Sequence, residues 1–206
     1  MTFTPELRLE KHVTMVTAKC FFQLRQLRRI RRSVDDESVK TLVHLFVTSR
    51  VDYCIGLLAN APKIWTDKLQ RVMNAAARII THTRKFDRGL SHILRDELHW
   101  LDIASRIKFR LCVMVYRCLH GLAPVYLSEL CRPTAEIEGR RHLRSAARGL
   151  FDLPRFNLSS YGKRAFSYAA PAMWNSLPAD LRDSSLSLDT FRRRLKTFLF
   201  MESAVH

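Results

Sequence analysis

Apolar residues recur near the start of the chain at Leu9, Val13, Val16, Cys20, Leu24, Leu27 and Ile30. Steps of three and four are the period of a helix with one buried stripe, so the spacing predicts a single long amphipathic helix. Lys11, Lys19, Arg25, Arg28 and Arg32 fall largely off that stripe. Ser33 precedes Asp36 with the spacing of a capping box, and Asp35, Asp36 and Glu37 lie where a helix N-terminus favours negative charge. The next pattern runs through Val39, Leu42, Val43 and Phe46 toward Tyr53, Cys54, Leu57 and Leu58. It ends near Ala61-Pro62, because proline cannot continue a helix. A third helix carries Leu69, Val72, Met73, Ala76, Ile79 and Ile80.

The period then breaks. "THTRKFDRG" (Thr81 to Gly89) is polar and basic, and it predicts a linker, 81–89, between a first helical bundle, 1–80, and a C-terminal helical domain, 90–206. A short helix around Leu94 and Leu98 leads to Trp100. Asp102 can then cap a strong helix bearing Ile107, Leu111, Met114, Val115, Cys118 and Leu119, closed by Gly121 and Pro124. "GRRHLRSAARG" (Gly139 to Gly149) has little period and reads as a loop. "LFDLPRF" (Leu150 to Phe156) is the one short strand expected. Ser187 to Phe200 is a last amphipathic helix, with Leu188, Phe191, Leu195, Phe198 and Leu199 on its apolar face. The expected fold class is mainly α, with a short β element near 150–156.

Composition narrows the function more than the fold. A 206-residue chain that is 47% hydrophobic can build a real core. Its 35 Lys and Arg against 19 Asp and Glu leave a formal charge of +16, which favours a polyanionic partner over a neutral small molecule. An acidic membrane would have to be met by the Ser187–Phe200 helix, whose large apolar residues are needed to cover the domain. No apolar run reaches the ~18 residues of a membrane span. The five cysteines are odd in number and form no C-x-x-C, so they read as reduced intracellular thiols, nuclear or cytoplasmic.

Candidate chemistry is sparse. Asp35-Asp36 could suggest the paired carboxylates of a polymerase metal site. The tetrad Ser33-Val34-Asp35-Asp36 lacks the aromatic residue of that motif and lies between helices, so capping is the better account. The histidines, His82, His99, His120 and His142 among them, do not converge at zinc spacing, and no phosphate-binding glycine loop or hydrolase nucleophile elbow occurs. The expectation is therefore no catalytic residue, no metal, no cofactor and no enzyme. Three basic clusters remain: Arg25, Arg28, Arg29, Arg31 and Arg32; Arg140, Arg141, Arg144 and Arg148; and Arg192, Arg193, Arg194 and Lys196. Arginine dominates them, which suits bidentate contact with phosphate. The rival account is a solvated helical surface on an interaction or structural domain. Trp100 and Trp174, among apolar neighbours, are expected to anchor the core rather than stack on bases.

Several phrases occur in a distinctive order: "KCFFQLRQLRRIRR" (Lys19 to Arg32), "LVHLFVTSRVDYC" (Leu42 to Cys54), "DKLQRVMNAAARII" (Asp67 to Ile80), "ELHWL" (Glu97 to Leu101), "RCLHGLAPVYLSEL" (Arg117 to Leu130), "RRHLRSAARG" (Arg140 to Gly149) and "YGKRAFSYAAPAMWNSLP" (Tyr161 to Pro178). Together they resemble the C-terminal part of the polyprotein of LINE-type, non-LTR retrotransposons, in the group that includes the jockey elements. The resemblance spans essentially the whole chain. It implies that residues 1–80 are the end of a reverse transcriptase palm and a helical thumb, followed by a post-thumb segment. It also implies an RNA or DNA primer–template duplex as partner, an upstream polymerase domain, and catalytic aspartates that lie before Met1. Ile55-Gly56, Asp102 and Phe156-Asn157-Leu158 depart from the family's usual residues, as in a drifting copy.

Overall fold

A computed structural model describes residues 9–84, 86–137, 149–156 and 162–204, and within them the chain is mainly α-helical. It divides into two compact units, Met1–Ile55 with Ala61–Ala104, and Gly56–Asn60 with Ser105–His206. The division thus falls after Ala104 and not at the expected linker, 81–89. That stretch is part of the first unit, where the Arg84 amide donates to Asp87 Oδ2 at 2.7 Å.

In the first unit the predicted long helix is α1 (Glu10–Ile30), with Val13, Cys20, Leu24 and Leu27 buried. It lies against α4 (Lys63–Ile80), whose buried face is Trp65, Leu69, Val72, Met73, Ala76, Ala77, Ile79 and Ile80. Ala76 and Ala77 have almost no side chain to hold the helices apart, so the α4 backbone can come close to its neighbours. Between them come α2 (Asp36–Val43), a π-helical turn (His44–Thr48) and α3 (Ser49–Asp52).

The helix expected to run on toward Pro62 ends at Asp52. Tyr53 turns extended (ψ 117°), and Cys54 adopts the left-handed region at φ 57°. A 3-10 turn (Ile55–Leu58) follows. Leu58 and Ala59 are buried off the helix line, so tertiary packing overrides the 3.6-residue period there.

The N-cap of α2 is Asp35 rather than Ser33. The Asp35 carboxylate accepts from the Ser38 amide at 2.9 Å, and its backbone is extended (φ −67°, ψ 164°) as a cap requires. Ser33 is taken up in a 3-10 turn (Arg31–Ser33). After α5 (Leu90–His92), Trp100 is only half-buried, so it is a weaker core anchor than expected.

The second unit contains most of α6 (Ile103–Leu119), then α7 (Val125–Ser128), α8 (Phe166–Asn175) and α9 (Leu188–Ala204). Its core is aromatic. Phe191 stacks on Tyr116 at 4.7 Å between centroids and lies 5.6 Å from Trp174, which meets Phe151 edge-on at 6.0 Å. Trp174 is buried as expected, and its Nε1 donates to the Gly149 carbonyl at 3.0 Å. Lys108 closes the outer edge with an ion pair to Glu202 at 2.9 Å.

The strand expected near 150–156 is absent among the described residues. A single antiparallel bridge joins Pro133 to Phe151. Pro133 has no N–H to extend a ladder, and Pro154 has none three residues on. The Asn175 side chain takes the place of a second strand: its Oδ1 accepts from Phe151 N and its Nδ2 donates to Phe151 O, both at 2.9 Å.

Candidate nucleic-acid interface

A helix turns about 100° per residue, so residues three, four and seven apart share a side. With Val13, Cys20, Leu24 and Leu27 facing inward, the opposite side of α1 presents Lys11, Met15, Phe22, Arg25 and Arg29, continued by Arg32 in the turn that follows. Arg25, Arg28, Arg29 and Arg32 are all exposed, and no carboxylate among the described residues pairs with them. Arg25 to Arg32 covers about 10 Å along the axis, a rise over which one strand of a duplex carries several phosphates. This ridge can therefore meet more than one phosphate at a time.

Arg31 does not belong to that ridge. It is only 8% exposed, with its guanidinium turned inward. Nε donates to Ile79 O at 2.8 Å, Nη1 to Val34 O at 3.0 Å, and Nη2 to Ile80 O at 3.1 Å and to the Asp36 carboxylate. Ile79 and Ile80 are among the last four residues of α4, whose carbonyls have no partner in their own helix, so Arg31 caps that terminus. Four of its five N–H donors are used inside the fold, and it leaves the set of candidate phosphate ligands. Its position was a signal of this: Arg31 falls on the inward stripe of Cys20, Leu24 and Leu27, four residues past the last of them.

The aspartates are likewise occupied. Hydrogen bonds from Ser38, side chain first and backbone second, hold the Asp35 carboxyl below its ordinary range. The Arg31 hydrogen bond, followed by its charge, does the same for Asp36. Among the described residues no group of three His, Cys, Asp or Glu side chains could hold a metal ion. No helix there is long and apolar enough to cross a membrane.

The cluster on α9 is arranged differently. Arg192, Arg193 and Arg194 are exposed but consecutive, so they fan about 100° apart instead of forming one row. Arg192 lies 3.7 Å from Asp189. Lys196 sits over the Phe200 ring at 5.7 Å, and burial, then the charge of Arg106, pulls its pKa down. The cluster Arg140, Arg141, Arg144 and Arg148 lies outside the described residues.

No family model matches this chain, and no curated protein or solved structure shows significant similarity to it.

Proposed function

We propose that this chain is a non-catalytic C-terminal portion of a retrotransposon reverse transcriptase, binding the backbone of an RNA or DNA duplex inside the cell. The ordered phrases from Lys19 to Pro178 support the family reading. The single observation that carries the binding reading is the exposed row Arg25, Arg28, Arg29 and Arg32 on a helix anchored by its opposite face. Contacts of this kind read backbone charge and geometry, so binding is tolerant of sequence and governed by counterion release.

The test is a triple substitution, Arg25→Gln, Arg28→Gln and Arg32→Gln, which keeps an unbranched polar side chain and helix propensity while removing charge. Affinity for a primer–template duplex is expected to fall substantially, with the slope of log K against log salt flattening by about two to three units. Matched circular dichroism checks that the fold is kept. An unchanged affinity and slope overturn the reading.

A second reading, a helical protein-interaction domain, is favoured by one observation in the second unit. Leu119, Leu122, Val125, Tyr126 and Leu130 are all exposed around α7, an apolar row of the kind that partner proteins cover.

A further inference from the structure

Beside α1, within the first unit, two adjoining cavities share the same two cations. One, of about 490 Å³, is lined by Lys19, Phe22 and Arg50. The other, of about 320 Å³, is lined by His12, Lys19, Arg50 and Tyr53. Each falls within the ~300–1,000 Å³ of small-ligand sites. None of the residues lining them is a carboxylate.

Lys19 and Arg50 thus form a positive bridge with an aromatic ring on either side. Those rings are unusually open: Phe22 is 52% exposed and Tyr53 59% exposed. His12, beside them, is 8% exposed, and its Nδ1 is shut away from solvent with no hydrogen-bond partner among the described residues. Burial lowers its pKa.

Cations flanked by open aromatic faces match one ligand chemistry better than others. An acidic peptide satisfies the cations and leaves the rings unused. A duplex keeps its bases stacked on one another, so it has no base face to offer a ring. An unpaired strand offers both a phosphate and free base faces.

We infer that this groove takes an unpaired dinucleotide step, one base against Phe22, the next against Tyr53, and the phosphate joining them at Lys19 and Arg50. The inference rests on the reading of the chain as a nucleic-acid binder, but it uses a different part of α1 from the arginine ridge. A duplex end with a single-stranded tail would engage both, the paired part on the ridge and the tail in the groove.

The test is fluorescence anisotropy with two labelled probes, a blunt duplex and the same duplex carrying about four unpaired thymidines. The tail is expected to raise the affinity of the parent protein by about tenfold or more. The double variant Phe22→Ala, Tyr53→Ala should lose that gain and bind the blunt duplex as the parent does. Both rings are exposed, so their removal leaves the core intact. Lys19→Gln with Arg50→Gln should also lose the gain and flatten the salt slope of the tail increment by about one unit. Arg25→Gln, Arg28→Gln, Arg32→Gln should weaken both probes and keep the ratio between them, which separates failure of the ridge from failure of the groove. A tail that adds nothing in the parent overturns the inference, and so does a gain that survives loss of both rings. Displacement of the tail by polyglutamate as readily as by oligothymidine assigns the groove to an acidic protein and also overturns it.

Discussion

α1 and α9 are both amphipathic helices with a buried apolar face and a run of arginines, yet they deploy those arginines differently. On α1 and the turn that follows it, Arg25, Arg29 and Arg32 recur four and three residues apart and line up as a ridge. On α9 they are consecutive, they diverge around the helix, and Arg192 has Asp189 within reach. Charge count is the same in kind; spacing decides whether it can act together on a rod of phosphates. The two helices also differ in how they are held. α9 is fixed by rings, Phe191 on Tyr116 and Trp174. The end of α1 is fixed by one guanidinium on the carbonyls of α4.

The largest effect is expected where the rings are. Trp174→Ala should cost about 3–5 kcal/mol, because it removes a fully buried indole from a core that cannot collapse fully around the void. Denaturant unfolding measures it, and a loss below about 1 kcal/mol would show that rings are not what fixes α9. Arg31→Ala follows at about 2–4 kcal/mol, since two carbonyls at the end of α4 lose their partner, each worth roughly 1–3 kcal/mol when buried unsatisfied. Arg31→Lys should recover only part, because an ammonium lacks the planar fork that reaches four acceptors. Full recovery would make the anchor one of charge alone.

The comparison of the arginines themselves is sharpened by the matching variant of α9. Arg192→Gln, Arg193→Gln and Arg194→Gln together should flatten the salt slope for duplex binding by less than about one unit. Flattening equal to that of the α1 triple variant would mean that spacing is irrelevant.

The smallest effect is in acid. Arg31 holds the Asp36 carboxyl below its ordinary value of 3.8. A depressed carboxylate contributes stability that is present above the unfolded value and lost as pH falls through the folded one. The gap in Tm between the parent and Arg31→Ala should therefore narrow as pH drops below about 4. A gap that is constant across this range would leave the Asp36 bond without energetic weight. The carboxylate is largely exposed, so solvent keeps this contribution small.

The long helices were legible because α1, α4, α6 and α9 each bury one stripe, and a stripe is written directly in the sequence. The features that were not legible are those decided by residues far away in the chain. The apolar period through Tyr53, Cys54 and Leu57 reads as continuous helix, and nothing local marks the turn at Tyr53. Leu150 to Phe156 has strand-like letters but finds only Pro133 and the Asn175 side chain to pair with. Ser33 and Asp35 are both good caps by type, and only geometry chose between them. Arg31 was the most misleading, because arginine is rarely buried and position alone has to outweigh that expectation. The groove beside α1 was invisible for a different reason: Lys19 and Arg50 are 31 positions apart, and no pattern in either segment points to the other.

The short stretch Gly56–Asn60 has a consequence for synthesis. It belongs to the second unit although the chain on both sides of it belongs to the first. A Cβ on Gly56 would stand 3.3 Å from Leu111, and Asn60 Nδ2 donates to Lys163 O at 2.6 Å, 103 residues further on. A ribosome delivers the chain from its N-terminus, so these five residues emerge long before the partners that will cover them. While Ser105–His206 is still being made, Leu58 and Ala59 have no home, and the nascent chain carries an uncovered apolar segment in the middle of a unit whose other parts are already available to fold.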